Sequence, residues 1–287
     1  EISACLVGSE MCIRDRILSI IFWIISIASA ILIYFCTNLS LHWYLFFIPI
    51  ILMPFFYLLC FLFYILILYI WSLFLHTKKD IKKPNKLYYF LVEQTNYLVI
   101  RLSRTKVIIH GLNKLPKDKH FLVISNHLSN FDPMLIIYSL KKHPMICITK
   151  KENEKLPICG KFIYNAGFIS LDRSDAHQAV KAIKKAADFI ANDWGNIHIC
   201  PEGTRSKSGE LLEFHPGSFK IAMKAKSPIV VCCLQNTNQI HKHFPWKRTY
   251  VNLTILDILE YQDYENLNST QLSIKVRQMI SDYQMQK

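Results

Sequence analysis

Between residues 17 and 75 the chain carries no Asp, Glu, Lys or Arg. A soluble core hides about ten to fourteen apolar residues in one stretch, whereas a bilayer crossing needs about twenty. Ile17–Cys36 as a helix would be about 30 Å long, one hydrocarbon thickness. Residues 37–42 are a polar break, and 43–75 are apolar again. Pro49 and Pro54 lie near the start of this second stretch, so the pattern predicts a kink or a late helix start, with a straight span over 55–75. Arg14 and Arg16 precede the first helix; Lys78, Lys79, Lys82, Lys83 and Lys86 follow the second. Basic flanks on both sides favour a hairpin with both ends cytoplasmic. Trp23, Trp43 and Trp71 suit interface anchors. A hairpin that enters one leaflet and returns fits the same pattern. A cleaved signal would need a shorter apolar core and a small-residue cleavage site. Residues 1–16 fit neither a signal nor a domain and are assigned no role; the missing initial Met is expected of a fragment or a gene-model error.

From residue 76 the rhythm changes. Residues 78–88 form a basic, Pro-containing collar, and 91–103 can begin as an interfacial helix. Short apolar runs at 105–110, 121–125, 145–149, 168–171, 197–200, 228–234 and 250–256 predict strands. Between them lie helix signals. Asp132 is a candidate N-cap with Pro133 in the first turn of a helix over 133–140. Ala176, Val180, Ile183, Ala187 and Ile190 form an apolar stripe that Gly195 ends. A final amphipathic helix over 269–283 turns Leu272, Val276, Met279 and Ile280 to the core. Strands alternating with helices predict an α/β fold: a mostly parallel or mixed sheet flanked by helices, preceded by the hydrophobic hairpin. The expected division is 1–16, a hairpin at 17–75 and a globular domain at 76–287. Active sites of such folds lie at strand ends.

Composition sharpens this picture. Of 287 residues, 8 are Gly and 11 Pro, with 18 Phe and 14 Tyr, which excludes collagen-like and disordered classes. The net charge of +13 suits nucleic acid, an anionic membrane surface or anionic small substrates. Beside an apolar hairpin, the last two gain weight. The positive charge is dispersed and no nucleic-acid reading motif appears. Nine Cys show no C-x-x-C pair or zinc spacing and are expected to be buried thiols in a reducing compartment.

Four clusters carry candidate chemistry. The first runs from Ser125 through Asn126, His127, Ser129 and Asp132 to Pro133. Histidine takes a proton near neutral pH, and a carboxylate on its other nitrogen fixes the tautomer and stabilises the imidazolium. The bland alternatives are a loop histidine and a simple N-cap. No G-x-S-x-G elbow accompanies the pair, which favours a histidine that activates a substrate hydroxyl over a serine hydrolase. The second is Cys200-Pro201-Glu202-Gly203-Thr204-Arg205-Ser206, a sharp turn presenting donors for a phosphate, with Glu202 accepting backbone or Arg bonds; an ordinary surface turn is the alternative. In the third, Gly160 leads to Arg173, a second phosphate ligand or a partner of Asp172 or Asp175. The fourth, Pro228-Ile229-Val230, reads as a turn into a core strand.

In this order the clusters resemble the glycerolipid acyltransferase family, within it the branch acting on 1-acyl-sn-glycerol 3-phosphate. Asn126-His127 through Asp132 is similar to its N-H-x-x-x-x-D block, Gly160 through Arg173 to its second block, Pro201 through Ser206 to F-P-E-G-T-R-S, and Pro228-Ile229-Val230 to the fourth. Cys200 stands where the family usually has Phe; it is expected to face the core. The resemblance covers roughly residues 85–235. It implies that His127 is the general base on the free sn-2 hydroxyl of a lysophospholipid, oriented and charge-balanced by Asp132. That hydroxyl would attack the thioester of acyl-CoA or acyl-carrier protein to give phosphatidic acid. Arg173, Glu202, Gly203, Thr204 and Arg205 would hold the glycerol phosphate. No metal or cofactor is implied, because a thioester is already activated. The implied partners are lysophosphatidic acid or a related lysophospholipid, the acyl donor and membrane lipids, with no nucleic acid.

Acylation of glycerol 3-phosphate or of another lysophospholipid fits the same residues. A non-catalytic lipid-binding membrane protein would use the hairpin and collar equally well, but has no need of His127 and Asp132. The implied site of action is the cytoplasmic side of a bacterial plasma membrane or of the endoplasmic reticulum. His241, Lys242, His243 and Lys247 read as a solvated or membrane-facing basic surface rather than a site.

Overall fold

A computed structural model describes residues 17–36, 48–77, 81, 83–172 and 175–286. Arg14, Arg16, Trp43, Lys78, Lys79, Lys82 and Arg173 lie outside the described residues.

Two apolar helices open the chain, α1 (Ile17–Cys36) and α2 (Ile48–Phe74). Both are long and apolar enough to cross a membrane, which is consistent with membrane association. α1 buries Ser19, Phe22, Ser26 and Ala30, spaced three and four apart. Small residues on that stripe let the helices approach closely. Phe22 meets Tyr57 and Tyr64 edge-on at 5.7 and 6.0 Å, and Ser19 Oγ lies 3.1 Å from Tyr57 Oη. On α2, Leu68 is buried and Phe61 and Ile65 pack beside it, whereas Ile20, Ile24, Leu32, Phe55, Leu62 and Phe63 are exposed. α2 begins seven residues earlier than the late start its prolines suggested. Pro54 sits inside the helix, where its ring nitrogen cannot donate a helix bond.

Then come α3 (Lys86–Leu102), β1 (Thr105–His110), β2 (Leu122–Ser125), α4 (Asp132–Ser139), β3 (Met145–Lys150), α5 (Cys159–Asn165), β4 (Ile169–Leu171), α6 (Ala176–Ala191), β5 (Asn196–Ile199), α7 (Lys220–Ala225), β6 (Ile229–Gln235), α8 (Ile240–His243), β7 (Thr249–Leu259) and α9 (Ser269–Met285). The strands form one mixed sheet in the order β1-β7-β6-β2-β5-β3-β4, parallel except where β6 meets β7. The three middle strands β6, β2 and β5 are almost wholly buried, matching their continuous apolar runs. Helices α3, α4 and α5 pack together, α6 packs with α7 against β4 and β5, and α9 lies across β6 and β7. This is the mixed α/β fold with a helix-flanked sheet that the pattern predicts.

Two expectations are corrected, and one residue has a further contact. Val180 is 60% exposed, because the face that α6 buries is Ala182, Ile183, Ala186, Ala187, Phe189 and Ile190, toward its C-terminal end. Cys36 and Cys159 are exposed rather than buried thiols. Trp71 packs against the domain: its ring lies 6.0 Å from Tyr88 and 5.8 Å from Phe162, so it joins hairpin to domain. Lys161 Nζ adds a 2.7 Å bond to the Ser72 carbonyl at the same junction.

Candidate active site

Strands β2 and β5 are parallel neighbours, so the loops after them leave the same edge of the sheet. The first carries residues 126–131, the second residues 200–206. Asn126, fully buried, clamps the start of its loop to β6. Its amide donates to Leu234 O at 2.9 Å and its oxygen accepts from Leu234 N at 2.7 Å. The loop is thus tied across the sheet before His127 is reached.

His127 Nδ1 lies 2.8 Å from Asp132 Oδ2. The same oxygen accepts from Leu128 N and Ser129 N, each at 2.7 Å. Asp132 is completely buried, while the His127 side chain is 19% exposed. A carboxylate that already faces two N–H donors is held as an acceptor, so Nδ1 carries the proton and Nε2 offers its lone pair. The N-cap reading of Asp132 is corrected. Phe131 occupies the cap position without a side-chain bond, and Asp132 is the first residue of α4 with its carboxylate turned back into the loop. Its second oxygen, Oδ1, is buried without a hydrogen-bond partner among the described residues.

The loop after β5 locks onto the first. Glu202 Oε1 accepts from His127 N at 2.6 Å, and Oε2 from Leu212 N at 3.1 Å. Ser206 N returns a bond to His127 O at 2.8 Å. His127 is therefore fixed by both backbone groups and by its ring. Gly203 closes the turn on Cys200 O at φ +75°, a left-handed backbone that a Cβ disfavours. Burial raises the Glu202 carboxyl above the usual range, and the bonds from His127 and Leu212 pull it back. Both Glu202 oxygens are engaged by backbone, as a loop-holding role requires. Thr204 and Arg205 are exposed at the rim. Lys151 Nζ bonds Asp172 at 3.2 Å, and Asp175 caps α6 through His177 N and Gln178 N.

One polar group beneath this site went unnoticed in the sequence. His198, in the middle of β5, is 1% exposed and its Nε2 lies 2.9 Å from Ser125 Oγ. The Ser125 hydroxyl donates to Asn126 O at 3.2 Å, leaving a lone pair for an Nε2–H. A histidine inside an apolar strand was the available signal. Cys200 joins this cluster, with Sγ 3.6 Å from Ser125 Oγ and 3.7 Å from His198 Nε2. Burial first, then the Asp132 charge, push its thiol far up, so it stays a thiol.

Burial brings His198 down to about 3, with the neighbouring His127 adding to the shift. Its unfolded value is about 6.5. The unfolded chain therefore binds the extra proton between these values. The stabilising contribution of neutral His198 is complete above pH 6.5 and is lost progressively as pH falls toward 3. Thermal unfolding in detergent at pH 7.5, 6 and 5 is expected to show a falling midpoint, and His198→Gln a shallower fall. Equal slopes in the two proteins would remove His198 from the account.

The acyltransferase family model matches residues 106–235. The matched segment is a little under half of the chain. It runs from β1 to the end of β6 and holds His127, Asp132 and the Glu202 turn. The chain is 28% identical over 176 residues to a 1-acyl-sn-glycerol-3-phosphate acyltransferase of Borreliella burgdorferi, covering 60% of this chain and 70% of that protein. It is 35% identical over 127 residues to the protein of the same name from Cocos nucifera, covering 44% and 39%. The chain thus spans less than half of that plant relative. The crystal structure of the 1-acyl-sn-glycerophosphate (LPA) acyltransferase from Thermotoga maritima superposes with a TM-score of 0.56 at 23% identity, over 77% of this chain and 89% of that one. The likeness of fold therefore extends beyond the matched segment.

Proposed function

We propose that this protein transfers an acyl group from acyl-CoA or acyl-carrier protein to the sn-2 hydroxyl of 1-acyl-sn-glycerol 3-phosphate, giving phosphatidic acid at a membrane surface. The observation that carries the reading is the 2.8 Å bond from His127 Nδ1 to a buried Asp132, with Nε2 left for a substrate hydroxyl. His127 Nε2 accepts the hydroxyl proton as the oxygen attacks the thioester carbonyl. The C–S bond breaks, and the thiolate takes that proton back from the imidazolium. No covalent enzyme intermediate is needed, only two substrates held in line. Arg205 and Thr204 at the rim, the Gly203 turn and Arg173 after β4 would receive the acceptor's phosphate, with Glu202 holding the loop that presents them. The two apolar helices would keep the acceptor's acyl chain in lipid, and the domain would face the cytoplasm.

The test is an acceptor and donor panel with the detergent-solubilised protein, read by lipid mass spectrometry. Phosphatidic acid from lysophosphatidic acid and a thioester is expected, at higher kcat/KM than products from glycerol 3-phosphate or other lysophospholipids. Preference for another acceptor would move the assignment within the family. Absence of any acyl product across the panel would favour a lipid-binding role.

A further inference from the structure

The hairpin's direction can be read from its contacts with α3. Tyr64 Oη lies 2.9 Å from Thr95 Oγ1, and the Trp71 ring lies 6.0 Å from Tyr88. These contacts are seven residues apart on each helix but in opposite senses, so α2 and α3 run antiparallel. Seven more residues, about 10 Å, bring Leu102 level with Tyr57, against which Ser19, Phe22 and Trp23 of α1 pack. From there α1 continues to Cys36, about 20 Å further. The C-terminal end of α3 therefore points the same way as the hairpin's far, lipid-suited end.

Fixed to that end is a loop the active site does not use. Arg104, directly after α3, donates from Nη1 to Pro245 O at 3.2 Å and Trp246 O at 3.1 Å. Thr249 N bonds back to Arg104 O at 3.2 Å. The loop displays Trp246 at 87% exposure and Phe244 at 52%. Lys242, Lys247 and Arg248 surround them, all exposed. No Asp or Glu occurs from Asn236 to Leu256. A tryptophan this exposed gains nothing in water. Aromatic rings among cations match the boundary layer of a bilayer, where the ring sits at headgroup depth and the cations meet lipid phosphates.

We propose that residues 244–248 are a second membrane contact: Trp246 and Phe244 enter the interface of an anionic bilayer while Lys242, Lys247 and Arg248 meet its phosphates. Because the domain is packed on the hairpin, a single insertion leaves the two free to roll and tilt together in the bilayer. A second contact, tied to α3 through Arg104, fixes that roll and so fixes the height of the sheet edge carrying His127. Lipid rather than a protein groove is the occupant, because the loop and the hairpin lead in one direction.

The experiment uses the full chain in vesicles of phosphatidylcholine alone or of phosphatidylcholine with one quarter phosphatidylglycerol. The emission of wild type minus that of Trp246→Phe isolates Trp246 from the other four tryptophans. In anionic vesicles this difference emission is expected to shift to the blue, lose intensity to lipids brominated near the glycerol, and resist aqueous iodide. The shift is expected to be smaller in neutral vesicles and in Lys247→Gln/Arg248→Gln. Solvent-like, iodide-quenched emission in both vesicle types would overturn the proposal. Equal burial in both would overturn its anionic-lipid part. None of these readouts depends on acyl transfer.

Discussion

His127→Ala is expected to lower kcat for acyl transfer by about 10²- to 10⁴-fold, the range for loss of a positioned general base, with KM for both substrates little changed. The side chain deleted is the one that faces outward from the junction; the bonds that hold the junction are main-chain ones. His127 N still reaches Glu202, and Ser206 N still reaches His127 O. Asp132 keeps Leu128 N and Ser129 N. The variant should therefore retain the far-ultraviolet circular dichroism and the lipid binding of the wild type. A parallel fall of kcat and kcat/KM marks an interaction made in the transition state only. Wild-type turnover in a folded variant would remove His127 as the base.

The sequence carried the α/β alternation and the hairpin because both are periodic signals that extend over many residues. Each long helix and each strand of the sheet was marked by its apolar rhythm. What it lacked were features without a period. Helices α5, α7 and α8 are too short for an amphipathic pattern. The antiparallel turn of β7 onto β6 follows from tertiary pairing, not from local composition. The exposure of Val180 depends on how much of α6 the rest of the domain covers, which the stripe cannot report.

The site was legible to a similar depth. His127 and Asp132 are five residues apart, a local relation that sequence can express. Whether Asp132 pairs with His127, caps the helix or does both is open in the sequence, because a carboxylate before Pro133 has the same appearance whichever way it turns; only the loop geometry decides. The Glu202 bond to His127 N spans 75 positions, and the Asn126 clamp to Leu234 spans 108. Such bonds exist because β2 is flanked by β5 and β6 in the sheet order. No spacing rule reaches that far. His198 was hidden for a related reason: its partner Ser125 stands on the adjacent strand.

Asp132→Asn should separate orientation from charge at this site. Two backbone donors, Leu128 N and Ser129 N, face the Oδ2 position. They select the amide oxygen for that place, because an amide NH₂ there would oppose two N–H groups. His127 Nδ1–H thus keeps an acceptor, and the tautomer with a free Nε2 is preserved. The NH₂ group goes to the Oδ1 position, buried and without a partner among the described residues, at a cost of about 1–3 kcal/mol. What is lost from the chemistry is the full negative charge opposite a developing imidazolium. Removal of one such preorganised stabiliser lowers kcat by about 10²- to 10³-fold, and that fall is expected with a modest drop in melting temperature. Asp132→Ala goes further, since it also releases the two loop amides, and its melting temperature should fall well below that of Asp132→Asn. If Asp132→Asn instead transfers acyl groups at the wild-type rate while Asp132→Ala does not, the carboxylate acts as a loop clasp and its charge takes no part in proton transfer. The three bonds converging on one oxygen make that outcome measurable, because they let the side chain lose its charge while keeping its place.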